Sequence, residues 1–205
     1  MANSDYNSSS AKSNRPTSKR DDFLNWNEYF MATAFLAAKR SKDPNTQVGA
    51  CIVNKEKKIV GVGYNGFPIG CSDDEFPWSK TSDDALENKY LYVCHAEVNA
   101  ILNKNSSDVK NCTMYVALFP CNECAKVIIQ SRIREIVYMS DKHNNKNTTI
   151  ASKKMLDAAG VKYWRFVPRN NILINFSEID WDNLNQLPAT PVKNKDIQRC
   201  INNSK

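Results

Sequence analysis

No apolar stretch among the 205 residues approaches the roughly 20 residues that a membrane-spanning helix needs. The first residues are polar and lack the apolar centre of a secretory signal, so neither membrane insertion nor export is expected. Cysteine is present but badly supplied for cross-linking: of seven, Cys121 and Cys124 form a C-x-x-C pair, and the other five cannot all pair. That argues against the disulfide framework of a secreted domain and for a reducing, cytoplasmic setting. Histidine is scarcer, with only His95 and His143. No second C-x-x-C and no H-x3-H pair is present, so the second half of a four-ligand structural zinc site is missing. No internal repeat is visible.

A basic domain surface is also lacking. The net charge is +6, but residues 1–20 alone carry four basic side chains against Asp5. Residues 169–205 hold five basic and four acidic side chains, and residues 21–168 hold 19 basic and 17 acidic ones. A nucleic-acid enzyme usually carries its basic stripe on the folded domain, so no nucleic-acid partner is expected. The Ser/Asn-rich residues 1–21 read as a disordered polar leader. Residues 22–168 read as one domain and 169–205 as a C-terminal extension.

Within that domain, Asp21-Asp22 can cap a helix from Phe23 to about Lys39, with Phe30, Met31, Ala34, Phe35 and Ala38 as its packed face. Residues 47–53 and 59–64 read as a hairpin across the charged turn 54–58. Residues 66–92 read as a long loop, a length that is usually functional or disordered. Residues 97–102 predict a helix, 113–118 a buried strand, 121–130 a helix, 135–139 a strand, 150–159 a helix and 161–167 a strand. An antiparallel hairpin followed by β-α-β units implies an α/β fold: a three-layer α/β/α arrangement with a mixed sheet of about five strands.

The informative cluster is His95-Ala96-Glu97 followed by Pro120-Cys121-Asn122-Glu123-Cys124. His95, Cys121 and Cys124 are three good zinc ligands, and three protein ligands leave the fourth tetrahedral position open, the arrangement of a catalytic zinc. A redox pair or half of a structural site remains as an alternative for Cys121 and Cys124 alone, but neither explains His95 or Glu97. Cys121 and Cys124 fall in the first turn of the predicted helix, where the helix dipole lowers thiolate pKa values. Zinc held there would activate a water molecule. Glu97, not itself a ligand, is the residue expected to move protons.

Four blocks carry a resemblance: Ser41-Lys42-Asp43-Pro44-Asn45-Thr46-Gln47-Val48-Gly49-Ala50, Gly63-Tyr64-Asn65-Gly66-Phe67-Pro68-Ile69-Gly70-Cys71, residues 92–101 around His95, and residues 117–126 around the cysteines. In this order they make residues 22–168 similar to the deoxycytidylate deaminases of the cytidine deaminase superfamily, whose zinc signature is H-x-E…P-C-x-x-C. The resemblance implies hydrolysis of dCMP to dUMP and ammonia, feeding thymidylate synthesis. It implies activation by dCTP, inhibition by dTTP, magnesium accompanying the triphosphate, and a homohexamer. A tRNA or polynucleotide deaminase of the same fold, and a catalytically silent zinc-fold protein, are the alternatives; intact Glu97 argues against the second.

The resemblance also implies site residues. His95, Cys121 and Cys124 would hold zinc, and Glu97 would be catalytic. Asn65 would contact the nucleoside, the alternative being an Asn-Gly turn with Gly66. Ala96 joins it on the substrate side. Asn65, Gly66, Gly70 and Cys71 lie in the loop that the family uses for its effector, although glycines serve ordinary turns equally well. Ser41 and Lys126 are candidates for the monophosphate or plain surface residues. His143 stands where some relatives have tyrosine. Trp26, Trp78, Trp164 and Trp181 read as packing or interface residues.

Overall fold

The computed structural model describes residues 23–169 together with Ile172 and Ile174. The expected leader, the expected helix caps Asp21 and Asp22, and Trp181 and Cys200 of the extension lie outside the described residues.

The first helix, α1 (Trp26–Ala38), begins three residues later than Phe23. Asn25 is the reason. Its side chain accepts from the Glu28 amide at 3.0 Å, and the Glu28 carboxylate accepts from the Asn25 amide at 3.2 Å, a reciprocal capping box. The packed face is Phe30, Met31, Ala34, Ala37 and Ala38. Phe35 does not belong to it: the ring is 42 % exposed, and Ala37 takes the inward position instead.

Five strands form one sheet in the order β2-β1-β3-β4-β5. They are β1 (Gly49–Val53), β2 (Ile59–Tyr64), β3 (Thr113–Leu118), β4 (Glu135–Ser140) and β5 (Lys162–Arg165). β1 pairs antiparallel with both β2 and β3, whereas β3, β4 and β5 run parallel, so the sheet is mixed as expected. The crossovers are α3 (Asn122–Gln130) and α4 (Asn147–Ala158), and α2 (Ala96–Leu102) precedes β3. Alternation along the strands divides the core. Cys51, Val53, Tyr115 and Val137 meet Phe30 and Met31 of α1 on one face. Ala50, Ile52, Met114, Val116 and Ile136 meet residues of α2, α3 and α4 on the other. The architecture is three-layer α/β/α.

Two seatings set the position of α2. A Cβ on Gly61 would come within 2.5 Å of Ala100 O, and one on Gly63 within 2.2 Å of Ala100 N. Only glycine lets the helix backbone lie this close to the strand. Asn99 Nδ2 then donates to Tyr64 O at 2.8 Å and Asn103 Nδ2 to Val62 O at 3.1 Å, pinning α2 along β2.

The 66–92 segment is irregular except for two single 3-10 turns, Ala85–Glu87 and Lys89–Leu91. It has an apolar centre of its own. Phe67 packs on Trp78 at 4.2 Å and on Phe76 at 5.5 Å, and Phe76 packs edge-on against Tyr92 at 5.2 Å. Among the described residues no helix is long and apolar enough to cross a membrane.

Candidate functional site

β3 ends at Leu118, and the chain turns through buried Phe119 and Pro120 into α3. The Phe119 amide donates to Ser140 O at 2.8 Å, and its ring meets Tyr138 edge-on at 4.9 Å, so the turn is held from the β4 side. Cys121 is the N-cap of α3 and Cys124 lies within its first turn. On the facing side, Gly66 and Cys94 exchange backbone hydrogen bonds of 3.1 and 2.9 Å. This bridge fixes the residue immediately before His95, which is the N-cap of α2. The His95 side chain makes no capping bond to α2, so it is free to turn toward Cys121 and Cys124.

The three side chains converge. His95 Nδ1 lies 3.3 Å from Cys124 Sγ and 3.4 Å from Cys121 Sγ, and the three donor atoms all lie within 4.8 Å of one another. A tetrahedral zinc, with Zn–S of about 2.3 Å and Zn–N of about 2.0–2.1 Å, holds its nitrogen and sulfur donors roughly 3.6 Å apart. One imidazole and two thiol sulfurs at nearly this spacing suit zinc and leave a position open.

The protonation of the cluster agrees. A hydrogen bond from Cys124, partly opposed by burial and aided by His95, draws the Cys121 thiol down to about 4. The hydrogen bond to Cys121 in turn lifts His95 to about 9 despite burial. Cys124, donating to Cys121 and buried, is pushed far up. Both shifts favour the protonated forms of His95 and Cys124, and binding of a metal dication would release those protons. Glu97, in the first turn of α2, is only 4 % exposed. Burial raises its pKa, partly countered by the nearby His95.

The remaining predicted residues fall in different surroundings. Asn65 is buried and its carboxamide is engaged: Oδ1 accepts from Val48 N at 2.8 Å, and Nδ2 donates to Thr46 O at 3.0 Å and to Asp43 Oδ2 at 3.3 Å. Ala96 is fully buried beside His95. Ser41 Oγ accepts from the Asp43 amide at 3.3 Å. Lys126 is exposed and bonds Glu123 one turn back at 2.6 Å. Gly70 has a φ of +91°, a conformation that requires glycine, and Cys71 closes that turn by donating to Pro68 O at 3.0 Å. Partial burial, reinforced by Lys146, Lys142 and Lys80, holds the pKa of His143 down. Trp78 packs inside the 66–92 segment, and Trp26, although 55 % exposed, stacks on Phe30 at 5.4 Å.

Sequence reasoning does not single out the centre of the Asn65 network. Asp43 and Lys89 form an ion pair with side chains 3 and 4 % exposed. Asp43 Oδ1 also accepts from the amides of Asn45 (2.8 Å) and Thr46 (3.2 Å). The Asp-Pro-Asn string signals that turn, but nothing local signals a partner 46 residues away.

With the fold and the three-ligand cluster in hand, comparison decides the family. A family model described as "Cytidine and deoxycytidylate deaminase zinc-binding region" matches residues 24–140. The chain belongs to that family. This deaminase chain is 58% identical over 171 residues to the deoxycytidylate deaminase of Homo sapiens, covering 83% of this chain and 94% of that protein. It is 56% identical over 164 residues to a probable deoxycytidylate deaminase of Drosophila melanogaster, covering 77% and 81% of the two chains. Its fold is shared with a dCMP deaminase from the cyanophage S-TIM5 in complex with dCMP and dUMP, at a TM-score of 0.52 and 24% identity, covering 68% of this chain and 95% of that one.

Proposed function

We propose that this chain is a deoxycytidylate deaminase that hydrolyses dCMP to dUMP and ammonia and thereby supplies dUMP for thymidylate synthesis. The observation that carries the reading is the convergence of His95, Cys121 and Cys124 beside buried Glu97 in a chain 58% identical to a human deoxycytidylate deaminase over most of its length. Zinc bound by His95, Cys121 and Cys124 supplies the Lewis acidity that activates water at neutral pH. Glu97 does the proton work. Its carboxylate takes the water's proton, protonates ring N3 of the cytosine, and returns a proton to the departing amine, so that water replaces ammonia at C4. Burial suits it, because a carboxyl with a raised pKa can hold a proton between transfers.

In the same reading Asn65 contacts the nucleoside through the second lone pair of Oδ1, and Ala96 lines the base pocket. Ser41 and Lys126 meet the monophosphate, Lys126 exchanging its exposed partner Glu123. Asn65, Gly66, Gly70 and Cys71 belong to the site for a triphosphate effector, dCTP activating and dTTP inhibiting, with Mg2+ accompanying the triphosphate. The assembly is a homohexamer and the compartment cytoplasmic. Residues 22–168 form the deaminase domain, flanked by a polar leader (1–21) and an extension (169–205).

The test is ammonia release from the zinc-loaded chain supplied with dCMP, cytidine, dCTP or tRNA, each with and without dCTP as effector. Turnover of dCMP, stimulated by dCTP, is expected. Turnover of tRNA without turnover of dCMP would overturn the reading in favour of a polynucleotide deaminase.

A further inference from the structure

The buried charges of Asp43 and Lys89 lie outside the zinc chemistry. A buried ion pair is weak support for a fold, since well-packed apolar residues of similar volume commonly stabilise as much. What the pair does is join two regions. Lys89 opens the single turn Lys89–Leu91 at the end of the 66–92 segment. Its amide donates to Ser79 O at 3.0 Å, and its carbonyl accepts from Tyr92 (3.0 Å) and Val93 (2.9 Å), so it closes that segment on itself. Its side chain leaves the segment and ends on Asp43 Oδ2, the oxygen that also receives Asn65 Nδ2. Asn65 Oδ1 in turn holds the Val48 amide at the entrance to β1.

We propose that Lys89 is a positioning residue of the active site: acting through Asp43, it fixes the Asn65 carboxamide and locks the 66–92 segment to the pocket wall. Lys89 does not touch the reacting atoms. The inference rests on the reading of this site as a dCMP deaminase centre, and it assigns to one lysine the geometry of the wall that receives the nucleotide.

The test uses the zinc-loaded full chain and the double variant Asp43→Asn/Lys89→Met. This removes both buried charges together while the Asn side chain keeps an oxygen for the Asn45 and Thr46 amides, so the turn survives. Zinc content and unfolding midpoint establish that the variant is folded. KM for dCMP is expected to rise about tenfold or more while kcat changes less than about threefold, the signature of lost binding geometry rather than lost chemistry. Amide exchange at Val48 is expected to accelerate about tenfold, with Ile52 in the middle of β1 unchanged. Parent-like KM with the charges removed, or unchanged protection at Val48, would overturn the proposal. A parent chain that fails to turn over dCMP would sink the functional reading alone, because the exchange measurement needs no substrate and still decides whether Lys89 holds the wall.

Discussion

Gly63 and Ala100 meet backbone to backbone: a Cβ on Gly63 would lie 2.2 Å from Ala100 N, 2.5 Å from Ala96 O and 2.7 Å from Asn99 C. All three atoms belong to α2, the helix that carries Glu97 and is capped by His95. The distance between one strand glycine and one helix thus sets where two of the site's functional groups stand.

Gly63→Ala is therefore expected to displace α2, since backbone atoms cannot step aside as a flexible side chain can. Overpacking of this kind costs about 1–3 kcal/mol, measurable by urea unfolding. Turnover should fall by roughly 100-fold, because catalytic geometry is lost with shifts near 1 Å. A Gly63→Ala chain with parent stability and turnover would show that α2 is not seated by this contact.

Removing the metal should leave Cys121 as the reactive thiol. With its pKa drawn down to about 4, it is a thiolate throughout the neutral range in the metal-free chain. Iodoacetamide at pH 6 should alkylate Cys121 ahead of buried Cys51, whose pKa is pushed up to about 12 by burial. The rate should inflect near pH 4, and saturating zinc should suppress it. Peptide mapping by mass spectrometry distinguishes the sites. Preferential labelling of Cys51 would contradict the assignment.

Asp43 links stability to pH. Burial pushes its pKa up, but the hydrogen bond from Lys89 and the amides of Asn45 and Thr46 outweigh this and hold it below the usual carboxylate value. The folded chain therefore binds fewer protons at this site than the unfolded one. Its contribution is complete above the unfolded pKa of about 3.9 and disappears as pH falls through the lower folded value. Urea unfolding of parent and Asp43→Asn chains should show the stability difference between them shrinking as pH drops below about 4. Lys89→Met alone, which leaves a buried carboxylate uncompensated, should cost about 3–5 kcal/mol at pH 7.

Much of the fold is legible from local pattern. The apolar run Thr113–Leu118 and the stretch Ile59–Tyr64 are strands with the bounds that their composition predicts. The metal cluster is legible too, because its three donors are few and stand beside helix starts. The start of α1 is missed although its signal is present: Asn25 followed by Glu28 is a capping box. Phe35 is misassigned because apolar residues surround much of α1, so spacing alone cannot choose between Phe35 and Ala37 for the buried face. Lys89 and Asp43 are invisible for a different reason. A lysine in a charged loop reads as solvated until folding joins it to a carboxylate 46 residues earlier. The seats at Gly61 and Gly63 are likewise tertiary, since a strand glycine gives no sign of which helix will press against it.

The central claim, proton transfer by buried Glu97 beside a His/Cys/Cys zinc centre acting on dCMP, is tested most directly by Glu97→Gln. The measurement is ammonia release from saturating dCMP by variant chains whose zinc content equals that of the parent. Because the carboxyl handles each proton in turn, kcat should fall by at least about 100- to 10,000-fold, the range of general acid–base catalysis, with zinc retained by His95, Cys121 and Cys124. Parent-like turnover in zinc-loaded Glu97→Gln would contradict the account.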